Sequence, residues 1–196
     1  FKCDLCQSSG IQKIYSEVKD YETFLDVKTD IVRCQNCSLI QQSSIFSKSE
    51  IKNFYLENYH GRNYSKKTLL AKISLLLRKK YYSRFINLLE RQTNNRNIKI
   101  LDYGSGDGFL CHLLYKKGFK NIYTCDFFKP SFSNLNNHIF PENIHKHKKS
   151  FDVMFMINSI EHLISFSFDF NKLDSCMKDN SILIIETPNF GSLDSY

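Results

Sequence analysis

Two groups of residues in this sequence have types and spacings that can do chemistry. The first is four cysteines near the start: Cys3 and Cys6 form one Cys-x-x-Cys pair, Cys34 and Cys37 a second. Two residues between cysteines let both sulfurs of a tight turn face one point, so two such turns supply the four thiolates of a tetrahedral Zn2+ site. Four protein ligands leave no position for a metal-bound water, so the metal would hold structure rather than catalyse. The 27 residues between Cys6 and Cys34 exceed the spacer of a minimal ribbon, and free thiols or an iron site are the alternatives. A redox role suits one pair better than two.

The second group is the run Lys99-Ile-Leu-Asp-Tyr-Gly-Ser-Gly-Asp-Gly-Phe-Leu, a strand pattern that passes through Gly104, Gly106 and Gly108 into a helical pattern. Glycine permits positive φ and close backbone approach, so a ligand can lie directly on such a turn at the carboxyl end of a sheet. Asp126 ends the next apolar run, 18 residues beyond Gly108. A carboxylate there can accept both hydroxyls of a ribose, which points to an adenosine-bearing ligand. The spacing is G-x-G-x-G preceded by Asp102, not the G-x-G-x-x-G of dinucleotide enzymes, and a Walker lysine is missing. Asp102 is expected to brace the turn through hydrogen bonds.

These groups need elements to position them. From Asn97 onward short apolar runs alternate with helical segments, the pattern of a parallel sheet with crossover helices. Strands are expected at Lys99–Tyr103, Ile122–Asp126, Phe151–Ile157 and Ile182–Thr187, with a weak one near Asn143–His145; helices are expected near Phe109–Lys117, Ser131–Asn137 and Phe168–Met177. Between Asn53 and Arg91, Leu69, Ile73, Leu76, Leu77, Tyr81, Phe85, Leu88 and Leu89 recur every three or four residues, an amphipathic helix whose basic face is read as solvated. The fold class is therefore α/β, Rossmann-like. Its expected parts are a zinc-ribbon-like module over 1–45, a helical linker that covers the ligand over 46–96, and the sheet domain over 97–196, with Asn94–Asn97 as a hinge.

Composition narrows the functional classes. The 196 residues are 42% hydrophobic and 24% charged, which excludes a disordered polymer, and no apolar run reaches the length of a membrane span. The net charge of +7 rests on 21 Lys and only 6 Arg, with a single Ala, Ala71. That is the signature of AT-rich coding more than of a phosphate-binding face. Seven cysteines without a secretory segment fit a reducing compartment, so the expected location is the cytoplasm. Cys111, Cys125 and Cys176, scattered among apolar neighbours, read as core, and the basic run with His145 and His147 as a solvated loop. The first residue is Phe1, so the chain is read as a piece of a longer protein.

The ordered motifs resemble class I S-adenosylmethionine (SAM)-dependent methyltransferases. Leu-Asp-x-Gly-x-Gly-x-Gly with its later strand-end acid matches their first two strands, Phe151-Asp-Val-Met-Phe-Met-Ile-Asn-Ser-Ile-Glu-His-Leu their fourth, and Ser181-Ile-Leu-Ile-Ile-Glu-Thr-Pro-Asn their fifth. With the cysteine pairs in front, the chain is similar to the bacterial subgroup in which a zinc-binding module precedes the methyltransferase domain, sugar methyltransferases of deoxysugar and polysaccharide pathways included. The second knuckle, Arg33-Cys-Gln-Asn-Cys-Ser-Leu-Ile, carries that part of the likeness. The resemblance implies that Gly104, Ser105, Gly106 and Gly108 line the methionyl and ribose part of SAM, that Asp126 takes the ribose hydroxyls, and that Phe127 flanks the adenine. Asn158 and Ser159 would face the reacting centre. Class I domains end with two further strands, so the resemblance also implies a C-terminal part missing after Tyr196.

Methyl transfer to a hydroxyl or acidic carbon needs a positioned base, and His162 beside Glu161 is the first candidate, with Glu161 orienting it. A structural role for His162 is the alternative. Tyr55, Tyr59, His60 and Tyr64 form an aromatic cluster before the long helix; Tyr64 is the one expected to reach the site, unless the cluster is core. The expected activity is methyl transfer to a small-molecule acceptor, a sugar or nucleotide-linked sugar. The alternatives are a zinc-containing RNA methyltransferase, contacting nucleic acid through Lys66–Tyr82, and a catalytically silent binding module.

Overall fold

The structure, a computed structural model, describes residues 1–19, 28–43, 69–132, 135–163 and 165–189. The chain divides into two compact units, Phe1–Tyr59 with Leu163–Asn171, and His60–His162 with Lys172–Tyr196.

In the first unit β1 (Ile11–Lys19), β2 (Lys28–Cys34) and β3 (Ile40–Gln42) form an antiparallel sheet in that order. Val32 is buried beside Cys34, but most of β1 is exposed. So little apolar area leaves water that three short strands make a weak core, and a crosslink or metal has much to contribute.

The second unit holds α1 (Leu69–Gln92), β4 (Lys99–Tyr103), α2 (Phe109–Lys116), β5 (Asn121–Cys125), β6 (His138–Ile139), β7 (Phe151–Ile157) and β8 (Met177–Glu186); α3 (Phe166–Cys176) precedes β8 in the chain. The five strands form a parallel sheet in the order β6-β5-β4-β7-β8, the expected α/β, Rossmann-like arrangement. β7 is apolar at nearly every position and buried almost throughout, as a central parallel strand must be. Phe85, Ile86 and Leu89 of α1 and Leu110 and Leu114 of α2 pack with Ile100, Val153 and Phe155 of the sheet. The strand order reverses at β4, which pairs with β5 on one side and β7 on the other. In open α/β sheets the crevice outside the carboxyl ends of the strands at such a switch point is where ligands bind. No helix among the described residues is long and apolar enough to cross a membrane.

Three local expectations are corrected. The described residues of 131–137 are not helical; Ser131 donates its N–H to Asp107 O at 3.1 Å and Leu135 closes a turn on Phe132. Pro130 and three asparagines favour turns over a helix here. At 143–145 the weak strand is replaced by a 3₁₀ turn over Pro141–Lys146, and pairing falls instead on His138–Ile139. Pro141 has no N–H for a ladder and its fixed φ suits the first position of a turn. The long helix is described from Leu69; residues 53–68 lie outside the described segments. Within it Phe85 and Leu89 are buried as expected, yet Ile73, Leu76, Leu77 and Leu88 are exposed. The Leu75-Leu76-Leu77 run allows more than one apolar stripe, and packing selects the one through Leu75, Tyr82, Phe85, Ile86 and Leu89.

Candidate functional site

The glycine turn leaves β4 and enters α2 in five residues. The N–H groups of Gly104 and Ser105 both donate to Cys125 O at the end of β5 (2.8 and 3.2 Å), and Gly108 N–H donates to Ser105 O at 2.9 Å. Gly104 has φ 75°, and a Cβ there would stand 2.5 Å from Ser159 Cβ, so only glycine lets β4 and the segment after β7 approach so closely. Gly108, at φ 81°, meets Pro130 and Leu135 at 2.7 and 2.8 Å in the same test. At both glycines the absence of a side chain lets a neighbouring segment pack directly against the turn.

Asp126 lies directly after β5 and reaches this turn. Its Oδ2 accepts the Gly106 N–H and its Oδ1 the Phe127 N–H, both at 2.7 Å. Burial raises the Asp126 carboxyl above its ordinary range, opposed by the N–H groups of Gly106, Phe127 and Phe128. Phe127 is half-buried beside it. Across the crevice Asn158 is exposed with φ 50°, while Ser159 is buried. The Oγ atoms of Ser105 and Ser159 are buried without a hydrogen-bond partner. Two unpaired hydroxyls flanking one crevice fit a polar ligand, since a buried unsatisfied donor is expensive.

Asp102 is 3% exposed, and its side-chain hydrogen bond comes from Cys111 Sγ of α2 at 3.3 Å rather than from a turn amide. Burial holds this carboxyl up at about 7, with Asp126 and Asp107 adding to the rise. His162 ends a 3₁₀ turn, Ile160–His162, with its N–H on Ser159 O at 3.2 Å. His162 and Glu161 are exposed, and Glu161 Oε2 accepts the Thr187 hydroxyl at 3.2 Å. Tyr64, with Tyr55, Tyr59 and His60, lies outside the described residues. Cys111, Cys125 and Cys176 are buried, as core residues should be. His145 is exposed, whereas the His147 ring lies 5.8 Å from that of Phe151, so this part of the basic run is not simply solvated.

Four residues around the crevice escaped the sequence reading. Arg78 of α1 donates both terminal nitrogens to Asp107 within the glycine turn, at 2.6 and 2.5 Å. Tyr81 Oη donates to Glu186 Oε2 (2.5 Å), Arg84 to Glu186 Oε1 (2.8 Å), and Asn158 Nδ2 to Tyr81 Oη (3.0 Å). The basic face of α1, read as solvated, therefore carries ion pairs at positions 78 and 84. The sequence held one signal: Asp107 sits inside the glycine motif, and an acid there needs a partner if an anionic group is to approach.

In the first unit the cysteines come together as two matching turns. Gln7 N–H donates to Cys3 O and Ser38 N–H to Cys34 O; Cys3 N–H donates to Ser8 O and Cys34 N–H to Leu39 O, all at 2.9–3.0 Å. Gln7 and Ser38 share positive φ, 58° and 65°. The four sulfurs lie within 4.8 Å of one another, with Cys3–Cys37 at 3.5 Å and Cys6–Cys34 at 3.6 Å. A tetrahedron with 2.3 Å metal–sulfur arms has edges of about 3.8 Å, so the quartet fits a four-thiolate metal and is too open for disulfides. The Asn36 amide, 3.5 Å from Cys6 Sγ, and the Ser8 backbone lower the Cys6 thiol to about 6.

Comparison with known proteins places this architecture. Residues 76–195 match the family described as "Methyltransferase domain", and the chain belongs to that family. The structure of a SAM-dependent methyltransferase from Archaeoglobus fulgidus is similar over 62% of this chain and 61% of that one, at 22% identity and a TM-score of 0.47; the chain thus spans less than two thirds of that relative's length. A Burkholderia thailandensis 1,6-didemethyltoxoflavin-N1-methyltransferase, solved with 1,6-didemethyltoxoflavin and S-adenosylhomocysteine, is similar over 88% of this chain and 72% of that one, at 11% identity and a TM-score of 0.50. That second likeness is one of fold. No curated protein matches the sequence.

Proposed function

We propose that the chain binds S-adenosylmethionine on the Gly104–Gly108 turn and transfers its methyl group to a small-molecule acceptor, a sugar or nucleotide-linked sugar. One observation carries the cofactor reading: at the switch point of a parallel sheet, Asp126 meets the glycine turn through the Gly106 N–H at 2.7 Å. On this reading the backbone of Gly104, Ser105, Gly106 and Gly108 cradles the methionyl and ribose parts, with Asp102 beneath. Each Asp126 oxygen keeps lone-pair capacity for a ribose hydroxyl. Phe127 flanks the adenine, and Asn158 and Ser159 border the methyl-bearing end.

The cofactor supplies a methyl group on a sulfonium, so the protein's tasks are alignment and removal of the acceptor's proton. His162, oriented by Glu161, is the proposed base, and Tyr64, outside the described residues, is the proposed aromatic contact from the 46–96 segment. Residues 97–196 form the cofactor domain. Residues 1–45 form a module in which Cys3, Cys6, Cys34 and Cys37 hold Zn2+; the matched turns and sulfur spacings support this. A reducing cytoplasm suits those thiolates. The sugar class rests on the pairing of such a module with a methyltransferase domain.

Calorimetric titration with S-adenosylhomocysteine, with NAD as the matched control and Asp126→Ala as the specificity check, tests the cofactor reading. Binding of the first ligand alone, weakened at least tenfold by the substitution, is expected. Binding of neither ligand, or equal binding to the variant, would sink it. Transfer of a labelled methyl group to a panel of nucleotide-linked sugars, against RNA as the competing acceptor, then tests the substrate class.

A further inference from the structure

Asn158 sits at the carboxyl end of β7, next to Ser159, whose Cβ closes on Gly104. Its backbone is doubly constrained: φ is 50°, a value most side chains avoid, and its N–H donates to Glu186 O at 2.8 Å. Its side chain is constrained too, by a chain of hydrogen bonds with a fixed direction. Arg84 donates to Glu186 Oε1, and Tyr81 gives its one hydroxyl proton to Glu186 Oε2. With that proton spent on a carboxylate, Tyr81 Oη can only accept from Asn158, so the amide must turn its Nδ2 to the tyrosine. Asn158 Oδ1 has no hydrogen bond among the described residues, and the residue is exposed. The amide oxygen is therefore the group offered to a ligand, and only a ligand N–H or O–H can meet it.

Tyr81 is well placed for this task. Its ring is gripped edge-on by Tyr82 and Phe85, with centroids 5.0 and 5.5 Å away, and Arg84 lies 4.3 Å over its face. The hydroxyl thus projects from a packed helix rather than from a loop. We propose that Tyr81 and Glu186 are positioning residues: they fix the orientation of the Asn158 amide so that its oxygen accepts a hydrogen bond from the α-ammonium group of the bound cofactor's amino-acid part. This rests on the reading of Asn158 as a ligand contact. The ammonium is the preferred source because a cationic donor makes a stronger hydrogen bond to a bare amide oxygen than a neutral one does.

Two measurements test this, one without ligand. In nitrogen-resolved NMR of the ligand-free chain, the Asn158 side-chain NH2 signals are identified by their loss in Asn158→Ala. Tyr81→Phe, which keeps the ring packing, and Glu186→Gln should both move these signals; signals unmoved in both variants would overturn the relay. In calorimetry, Tyr81→Phe should weaken S-adenosylhomocysteine about fivefold, the worth of roughly one net hydrogen bond, and have no effect in the Asn158→Ala background. 5′-Methylthioadenosine, which lacks the amino acid, should bind wild type and Tyr81→Phe equally. Additive effects of the two substitutions, or equal weakening of both ligands, would overturn the ammonium assignment. Should wild type bind neither ligand, the cofactor reading fails and the ammonium assignment with it, while the NMR result still decides the relay.

Discussion

Arg78 and Asp107 form a two-pronged ion pair, 2.6 and 2.5 Å, between the long helix and the glycine turn, with the guanidinium 4.4 Å above the Phe109 ring. Asp107 Oδ1 also accepts the Phe109 N–H at 3.1 Å, so one carboxylate holds the first turn of α2 and is itself held by α1. Both side chains are about four-fifths buried, at 22% and 19% exposure. Arg78→Gln strands a largely desolvated carboxylate and should lower the unfolding free energy by about 2 kcal/mol, below the range for fully buried pairs because water still reaches both groups. Adding Asp107→Asn should recover part of that loss. Urea midpoints of wild type and the two variants check it, and an unchanged midpoint in Arg78→Gln would show the pair to be idle.

The cysteine quartet predicts a stoichiometry. Purified under reducing conditions, the chain should carry close to one zinc ion, measured by metal analysis with native mass spectrometry. Cys34→Ser should lose it, because a neutral hydroxyl or water is a far weaker ligand than the thiolate it replaces. A strong chelator should remove the metal together with the β1–β3 dichroism signal, since those strands bury little else. Iron in place of zinc would keep the site and change the metal; no metal at all would leave four free thiols.

Asp102 makes stability depend on pH in a defined direction. In the unfolded chain this carboxyl ionises near 3.8, whereas in the folded protein burial holds its proton to about 7. Between those values the folded state binds more protons, so this group's contribution to stability falls as pH rises and levels off above about 7. Asp102→Asn removes the titration and keeps the shape. Its stability relative to wild type should improve from pH 4.5 to 7.5 by roughly 3 kcal/mol. The difference isolates Asp102 from Asp126, whose carboxyl is also raised. Parallel pH profiles for the two proteins would refute the assignment.

Local motifs were legible in the sequence, and long-range pairings were not. The glycine turn, the strand-end Asp126 and the two cysteine pairs each act through a handful of neighbouring residues, so residue type and spacing were enough. β7 could be read because a central parallel strand is apolar on both faces. The segment at 131–137 misled because its few apolar residues have helical spacing while its asparagines and Pro130 favour a turn. Arg78–Asp107 and Tyr81–Glu186 join residues 29 and 105 positions apart. Both depend on the rotation of α1 about its axis, and the Leu75–Leu77 run left that rotation undecided. The basic helix face therefore looked solvated, although two of its arginines are engaged.

The contact between Gly104 and Ser159 gives the sharpest test of the crevice. In Gly104→Ala the new methyl group would meet Ser159 Cβ at 2.5 Å, and φ 75° adds backbone strain on top of the clash. The expected loss is about 2–4 kcal/mol, about 1 kcal/mol of it from the left-handed backbone. Ser159→Gly deletes the obstructing carbon, leaving Ser159 Cα as the nearest backbone atom at 3.7 Å. The double variant should therefore regain the steric part and keep only the strain. Ser159→Gly alone should be mild, since the hydroxyl it removes has no partner. If S-adenosylhomocysteine lies on this turn, Gly104→Ala should also abolish its binding, and the double variant should restore it in part. Recovery of the steric part of the stability with no recovery of binding, together with weakened binding in Ser159→Gly alone, would assign the Ser159 hydroxyl to the ligand.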